Sequence, residues 1–228
     1  MAGLEKLISE ISDTKAETAG EFNSIKPETK LTSSELTDLI HKEFEQARIE
    51  ERPISREDIC NISDDDIDID VDMSERMLDL LERFEPDNWA ELSETEKYDA
   101  VTALVKEISK ELGLKEEPFV FLIDREDGYC GSYAFGVNTI VLNKNGFNDP
   151  RELVDTIAHE LRHAYQYMRA ENPITLEDQL FRANFENYIS PEYNRNGECI
   201  NFKDYYSQYV EADARAYARN YTDAMSGA

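Results

Sequence analysis

Disulfide bonding, nucleic-acid binding and membrane insertion all lack the residues they need in this 228-residue chain. Its three cysteines, Cys60, Cys130 and Cys199, are odd in number, far apart and without a CxxC pair, so no disulfide framework is expected. Basic residues are scarce. The 24 Lys and Arg face 50 Asp and Glu, a net charge of −26. Neutralising phosphates takes clustered Lys and Arg, so neither nucleic acid nor an anionic membrane is expected as a partner. No apolar stretch approaches the roughly 18 residues of a membrane-spanning helix. Met1 to Glu10 lacks a basic segment leading into an apolar run, so a cytoplasmic location is expected, with export by a route without a cleavable signal as the alternative.

Aromatic residues are also missing from the first third. Only Phe22 and Phe44 precede Phe84, and residues 1–85 carry a net charge of −14 against −12 for the longer remainder. An independent core there would be poor. The pattern suggests an acidic extension over residues 1–85, mainly helical or partly disordered, followed by a globular domain over 86–228. Short helices are expected at Leu4–Ile11, Ser33–Glu51 and Ser74–Phe84. From Ser63 to Asp72 acidic and β-branched residues alternate, which suits an extended segment with Ile67, Ile69 and Val71 on one face. Such a segment would be a solvated linker, a strand docked on the following domain, or a plug in a substrate cleft. A calcium loop is disfavoured because the central Gly and the twelfth-position Glu are absent.

Beyond Trp89 the texture is globular. Ser93-Glu94-Thr95-Glu96 opens a helix whose stripe of Val101, Leu104, Val105, Ile108 and Leu112 ends at Gly113. Phe119–Ile123 reads as a buried strand, Tyr133–Phe135 and Thr139–Leu142 as further short strands, and Asn143–Asp149 as a turn. Residues from Arg151 to Arg169 read as one amphipathic helix. After an irregular connection holding a short helix near Leu176–Phe185, one alanine-rich helix is expected from Phe202 to Thr222.

The helix over 151–169 carries His159-Glu160-Leu161-Arg162-His163, an HExxH string. With only 3 His and 30 Glu in the chain, composition alone would give it about 0.005 times. Residues four apart share a helix face, so both imidazoles can bind one Zn²⁺ while Glu160 reaches toward a water on the metal. The alternative is a pair of surface histidines on a polar face. Catalytic zinc takes three protein ligands, and the remaining histidine, His41, is far upstream, so the third should be a carboxylate. Glu211, in the middle of the alanine-rich helix, is the first choice and Asp213 the second. Asp213 could instead orient a histidine, and Glu211 could instead be an exposed partner of Arg215.

These elements together resemble the gluzincin class of zinc metallopeptidases, especially the compact minigluzincin-like and ImmA/IrrE-like domains. The resemblance covers roughly residues 88–224: the helix before the strands, Asn138–Asn143, HELRH at 159–163 and EADARAYA from Glu211 to Ala218. It implies an α+β fold, in which a compact zincin-like domain with a small sheet, an HExxH helix and a C-terminal ligand helix follows the acidic extension. It implies His159, His163 and Glu211 as zinc ligands, Glu160 as general base, and hydrolysis of peptide or protein substrates by a metal-activated water. Thr139–Leu142 would be an edge strand to which an extended peptide adds. A histidine for the oxyanion is missing, and Tyr165, Tyr167, Tyr205 and Tyr206 are available instead. The alternative is a catalytically silent metal- or partner-binding module that uses the acidic extension as an interaction arm.

Overall fold

The computed structural model describes residues 53–126, 128–196 and 198–226. The helices expected at 4–11 and 33–51, and His41, lie outside the described residues. Helices form where caps and periodicity coincide. Ser74 accepts from the Met77 amide to open α1 (Glu75–Glu82), and a proline at its first position opens α2 (Pro86–Glu91). Ser93 and Glu96 form a capping box on α3 (Glu94–Glu111), along which Val101, Leu104, Val105 and Ile108 are buried. Gly113, in the left-handed region at φ +65°, stops the run.

Three strands follow: β1 (Phe119–Ile123), β2 (Gly131–Ala134) and β3 (Thr139–Asn143), in the order β1-β3-β2. β3 pairs parallel with β1 and antiparallel with β2. Two expectations are corrected here. β3, with Ile140 and Leu142 fully buried, is the central strand, so both its edges are already hydrogen-bonded and it cannot receive a peptide. β1, expected to be buried, is an edge strand that packs Val120 and Leu122 on the core and leaves Phe119 and Phe121 74% and 59% exposed. The other edge is β2.

Asp149 accepts from the Arg151 and Glu152 amides and starts α4 (Pro150–Glu171), the helix that carries the HExxH string. A Thr175–Asp178 capping box starts α5 (Leu176–Glu186). The last helix is two: α6 (Phe202–Tyr206) and α7 (Tyr209–Met225). The break at Ser207 and Gln208 is imposed from afar. The Tyr209 amide donates to Ile59 O, the Ile62 amide donates to Ser207 O, and the Val210 amide is capped by Asn184 Oδ1 at 2.9 Å. Behind the break, Ala212, Ala214, Ala216 and Ala218 are all buried, which lets α7 lie close on α4.

The boundary expected near residue 85 does not coincide with the packing. Pro53–Ala228 forms one compact unit, and Met77, Leu81 and Phe84 belong to the same core as α3 and α4. Residues 67–73 do alternate, with Ile69, Val71 and Met73 turned onto that core and Asp68, Asp70 and Asp72 outward. Those apolar side chains are therefore committed to the core and do not plug a cleft. Asp64 fastens the preceding turn to α7 through Arg215 at 2.8 Å and Arg219 at 3.3 Å. The described fold is thus α+β, seven α-helices around a three-stranded mixed sheet. No described helix is long and apolar enough to cross a membrane.

Candidate metal centre

One helical turn separates His159 from His163 on α4, and their rings meet edge to face with centroids 4.7 Å apart. The two Nε2 atoms are 3.1 Å apart. Glu211 comes from α7 and closes the triangle, with Oε2 3.4 Å from His159 Nε2 and Oε1 3.7 Å from His163 Nε2. A tetrahedral zinc with bonds near 2.1 Å would hold its ligand atoms roughly 3.4 Å apart. The Nε2–Nε2 separation and the nearest contact of each imidazole with a different Glu211 oxygen lie on either side of that value. One donor atom from each residue lies within 4.8 Å of the others, and two imidazoles with one carboxylate are a donor set zinc accepts. The residues fit the ion.

Burial and charge agree with this geometry. Glu211 is 1% exposed, which removes the alternative of an exposed pair with Arg215, whose guanidinium is occupied by Asp64 and the Tyr206 carbonyl. Burial opposes ionisation of Glu211, but the facing imidazoles of His163 and His159 hold its carboxyl well below the usual range. Burial likewise opposes charge on His163, yet Glu211 and Glu160 raise its imidazole to about 9. With no metal, the two groups therefore stabilise each other as an ion pair. Glu160, between the histidines in sequence, is largely buried and acts electrostatically on both His163 and Tyr205.

Asp213 does not join the triangle. Two residues beyond Glu211, it turns to another face of α7 and accepts two hydrogen bonds from Arg162, at 2.8 and 2.9 Å. Of the four tyrosines considered for the oxyanion, only Tyr205 is at the centre. Tyr206 lies under the Arg215 guanidinium, Tyr165 packs on Phe181 and Arg162, and Tyr167 is stacked between Phe135 and Phe185. A residue that sequence reasoning missed is Tyr188, whose hydroxyl donates to Glu211 Oε1 at 2.6 Å. Burial first, then the Glu211 charge, pushes both the Tyr188 and Tyr205 phenols up, so each stays a protonated donor at neutral pH. Tyr188 sits in the irregular connection after α5, where no periodicity or motif marks a position.

Beside the centre, β2 runs along α4 at close range. A side chain at Gly131 would meet Thr156 Cγ2 at 2.7 Å, so glycine is what lets the strand approach the helix one turn before His159. No protein-family model, curated protein or solved structure matches this chain. Any functional reading therefore rests on the arrangement of these side chains.

Proposed function

We propose that this chain is a zinc-dependent metallopeptidase with a zincin-like catalytic domain. The observation that carries the reading is the convergence of His159, His163 and Glu211, from two helices, with one donor atom from each within 4.8 Å of the others, close enough to share one ion. His159 Nε2, His163 Nε2 and a Glu211 carboxylate oxygen would hold the zinc. Bound there, zinc would supply Lewis acidity toward a peptide carbonyl and lower the pKa of water.

The chain's own groups do the rest. Glu160 takes the proton of the attacking water and returns it to the leaving amine. A purely structural zinc site closes its fourth position with Cys or His, and among the described residues the donor group here holds three. Tyr205, beside Tyr188 and within the field of Glu211 and Glu160, would donate to the oxyanion as the carbonyl becomes tetrahedral. Tyr188 holds Glu211 in orientation. The edge strand β2, in place of β3, would take an extended peptide by backbone hydrogen bonds, since its antiparallel partner occupies its other side. Strand addition fixes the scissile bond relative to α4 because Gly131 keeps the two elements in contact.

Metal content and turnover test the reading together. The purified chain should carry one zinc, and it should cleave members of a peptide library. Glu160→Gln should keep the zinc and lower kcat by at least about a thousandfold, the scale of a lost general base combined with loss of its charge. Zinc with no cleavage of any peptide or protein by the unaltered chain would leave a binding module. No zinc at all would refute both.

A further inference from the structure

Behind His163 lies a chain of buried polar groups that the hydrolytic reading does not use. His163 Nδ1 is 2.8 Å from Gln166 Oε1. The other end of the same amide fixes which atom is which. Gln166 Nε2 is 2.9 Å from the Val210 carbonyl and 2.5 Å from Asp213 Oδ2. Both are acceptors: a carbonyl cannot donate, and both Asp213 oxygens already receive hydrogen bonds from the Arg162 guanidinium. The nitrogen of Gln166 must therefore face α7 and its oxygen must face His163. An amide oxygen only accepts, so His163 Nδ1 carries a proton. In the neutral imidazole the free lone pair is then on Nε2, the atom aimed at His159 and Glu211.

We infer that Gln166 is a positioning residue for the metal centre, selecting the Nε2-liganding form of His163, with Asp213 and Arg162 behind it locking the amide's orientation. The inference rests on the proposed zinc site. Gln166 is fully buried, Asp213 is 1% exposed and Arg162 is 7% exposed. Water cannot easily replace any of these bonds. The Arg162 guanidinium itself lies over Tyr165, 4.5 Å from the ring centroid. The series Arg162–Asp213–Gln166–His163 crosses from α4 to α7 and back, so the helix that supplies two ligands is tied to the helix that supplies the third.

The choice of an amide has a consequence for charge. Zinc-bound imidazoles commonly donate to a carboxylate, which makes the ligand more basic. Gln166 orients the ring without adding a charge beside a centre that already holds Glu211 and Glu160. The negative charge of Asp213 is kept one bond further away and is met by Arg162.

Only three histidines occur in the chain, so histidine-selective ¹⁵N labelling of the full-length, zinc-loaded protein gives a spectrum of three rings. Expected for His163 is a proton on Nδ1 that exchanges slowly with water, and zinc on Nε2. In Gln166→Met, similar in volume but without polar atoms, that proton should exchange fast and zinc affinity, measured against a competing chelator, should fall about 10- to 100-fold. A His163 ring with zinc on Nδ1, or a fast-exchanging Nδ1 proton in the unaltered protein, overturns the inference even if Gln166→Met fails to fold. So does a folded Gln166→Met that binds zinc within a factor of about two of the parent. If the unaltered chain takes up no zinc, it is the proposed function that fails, a result separate from these.

Discussion

Tyr188 and Tyr205 both touch the Glu211 carboxylate by their effects, but they should fail differently when their hydroxyls are removed. Tyr188 donates directly to Glu211 Oε1 at 2.6 Å. Tyr188→Phe removes an outer partner of the proposed ligand, so zinc affinity should fall by about tenfold or more while kcat at saturating zinc changes little. Tyr205 feels the charge of Glu160 as well as that of Glu211, and the proposed mechanism gives it the oxyanion. Tyr205→Phe should keep zinc and lower kcat by about 10²- to 10³-fold with KM nearly constant. Chelator competition and steady-state kinetics on the two variants separate the roles, and a reversed pattern would exchange them. At this scale the legible residues were those fixed by helix spacing. His159 and His163 announce themselves by an interval of four with Glu160 between them, and the vacancy they leave calls for a carboxylate, for which Glu211 is the first choice and Asp213 the second. Tyr188 and Gln166 do not, because what makes each matter is a partner on another element: Glu211 23 residues away for one, Asp213 47 residues away for the other.

Helix starts were readable for the same local reason, since Ser74, Ser93 and Thr175 sit where their oxygens meet amides three residues on. Elements whose neighbours come from elsewhere were not. The stretch from Phe202 to Thr222 has uninterrupted helix propensity, yet it breaks at Ser207 and Gln208 because residues 59 and 62 claim its backbone. The positions of β1 and β3 were likewise visible as apolar runs, while their order in the sheet depends on pairings across some 20 residues. Composition misplaced the start of the core in the same way, because it averages over charge and cannot see α1 laying one stripe on α3 and α7. Phe84 provides the check. It is fully buried and stacked on Trp89, with centroids 4.9 Å apart, and Trp89 in turn donates from Nε1 to the Phe147 carbonyl at 2.8 Å. Phe84→Ala should cost about 3–5 kcal/mol of stability by denaturant unfolding. A loss under about 1 kcal/mol would mean that residues before 86 lie outside the cooperative core.

In the proposed site, metal, proton and fold are linked through His163. Without metal, and against the effect of burial, Glu211 and Glu160 raise its imidazole from 6.5 to about 9. A folded-state value above the unfolded one means that folding takes up a proton. The stability from this group is thus fully present below about pH 6.5 and is lost as pH rises through about 9. Zinc bound as proposed would reverse the dependence, because it takes Nε2 only after that proton has left. The Tm of the metal-free chain, compared with that of His163→Gln to isolate the group, should decline over this window. The Tm increase given by a fixed zinc excess should grow over the same window, since stabilisation by a ligand follows its affinity. Binding zinc at neutral pH should also release a proton, seen by calorimetry as a heat that varies with the ionisation enthalpy of the buffer. A zinc-induced Tm increase that stays flat from pH 6.5 to 9, with no proton released, would mean that the metal does not meet His163. In the proposed site, the sharing of one imidazole between a proton and a metal follows from geometry that neither helix has alone, because the carboxylate that raises His163 is also the proposed third ligand and lies on α7.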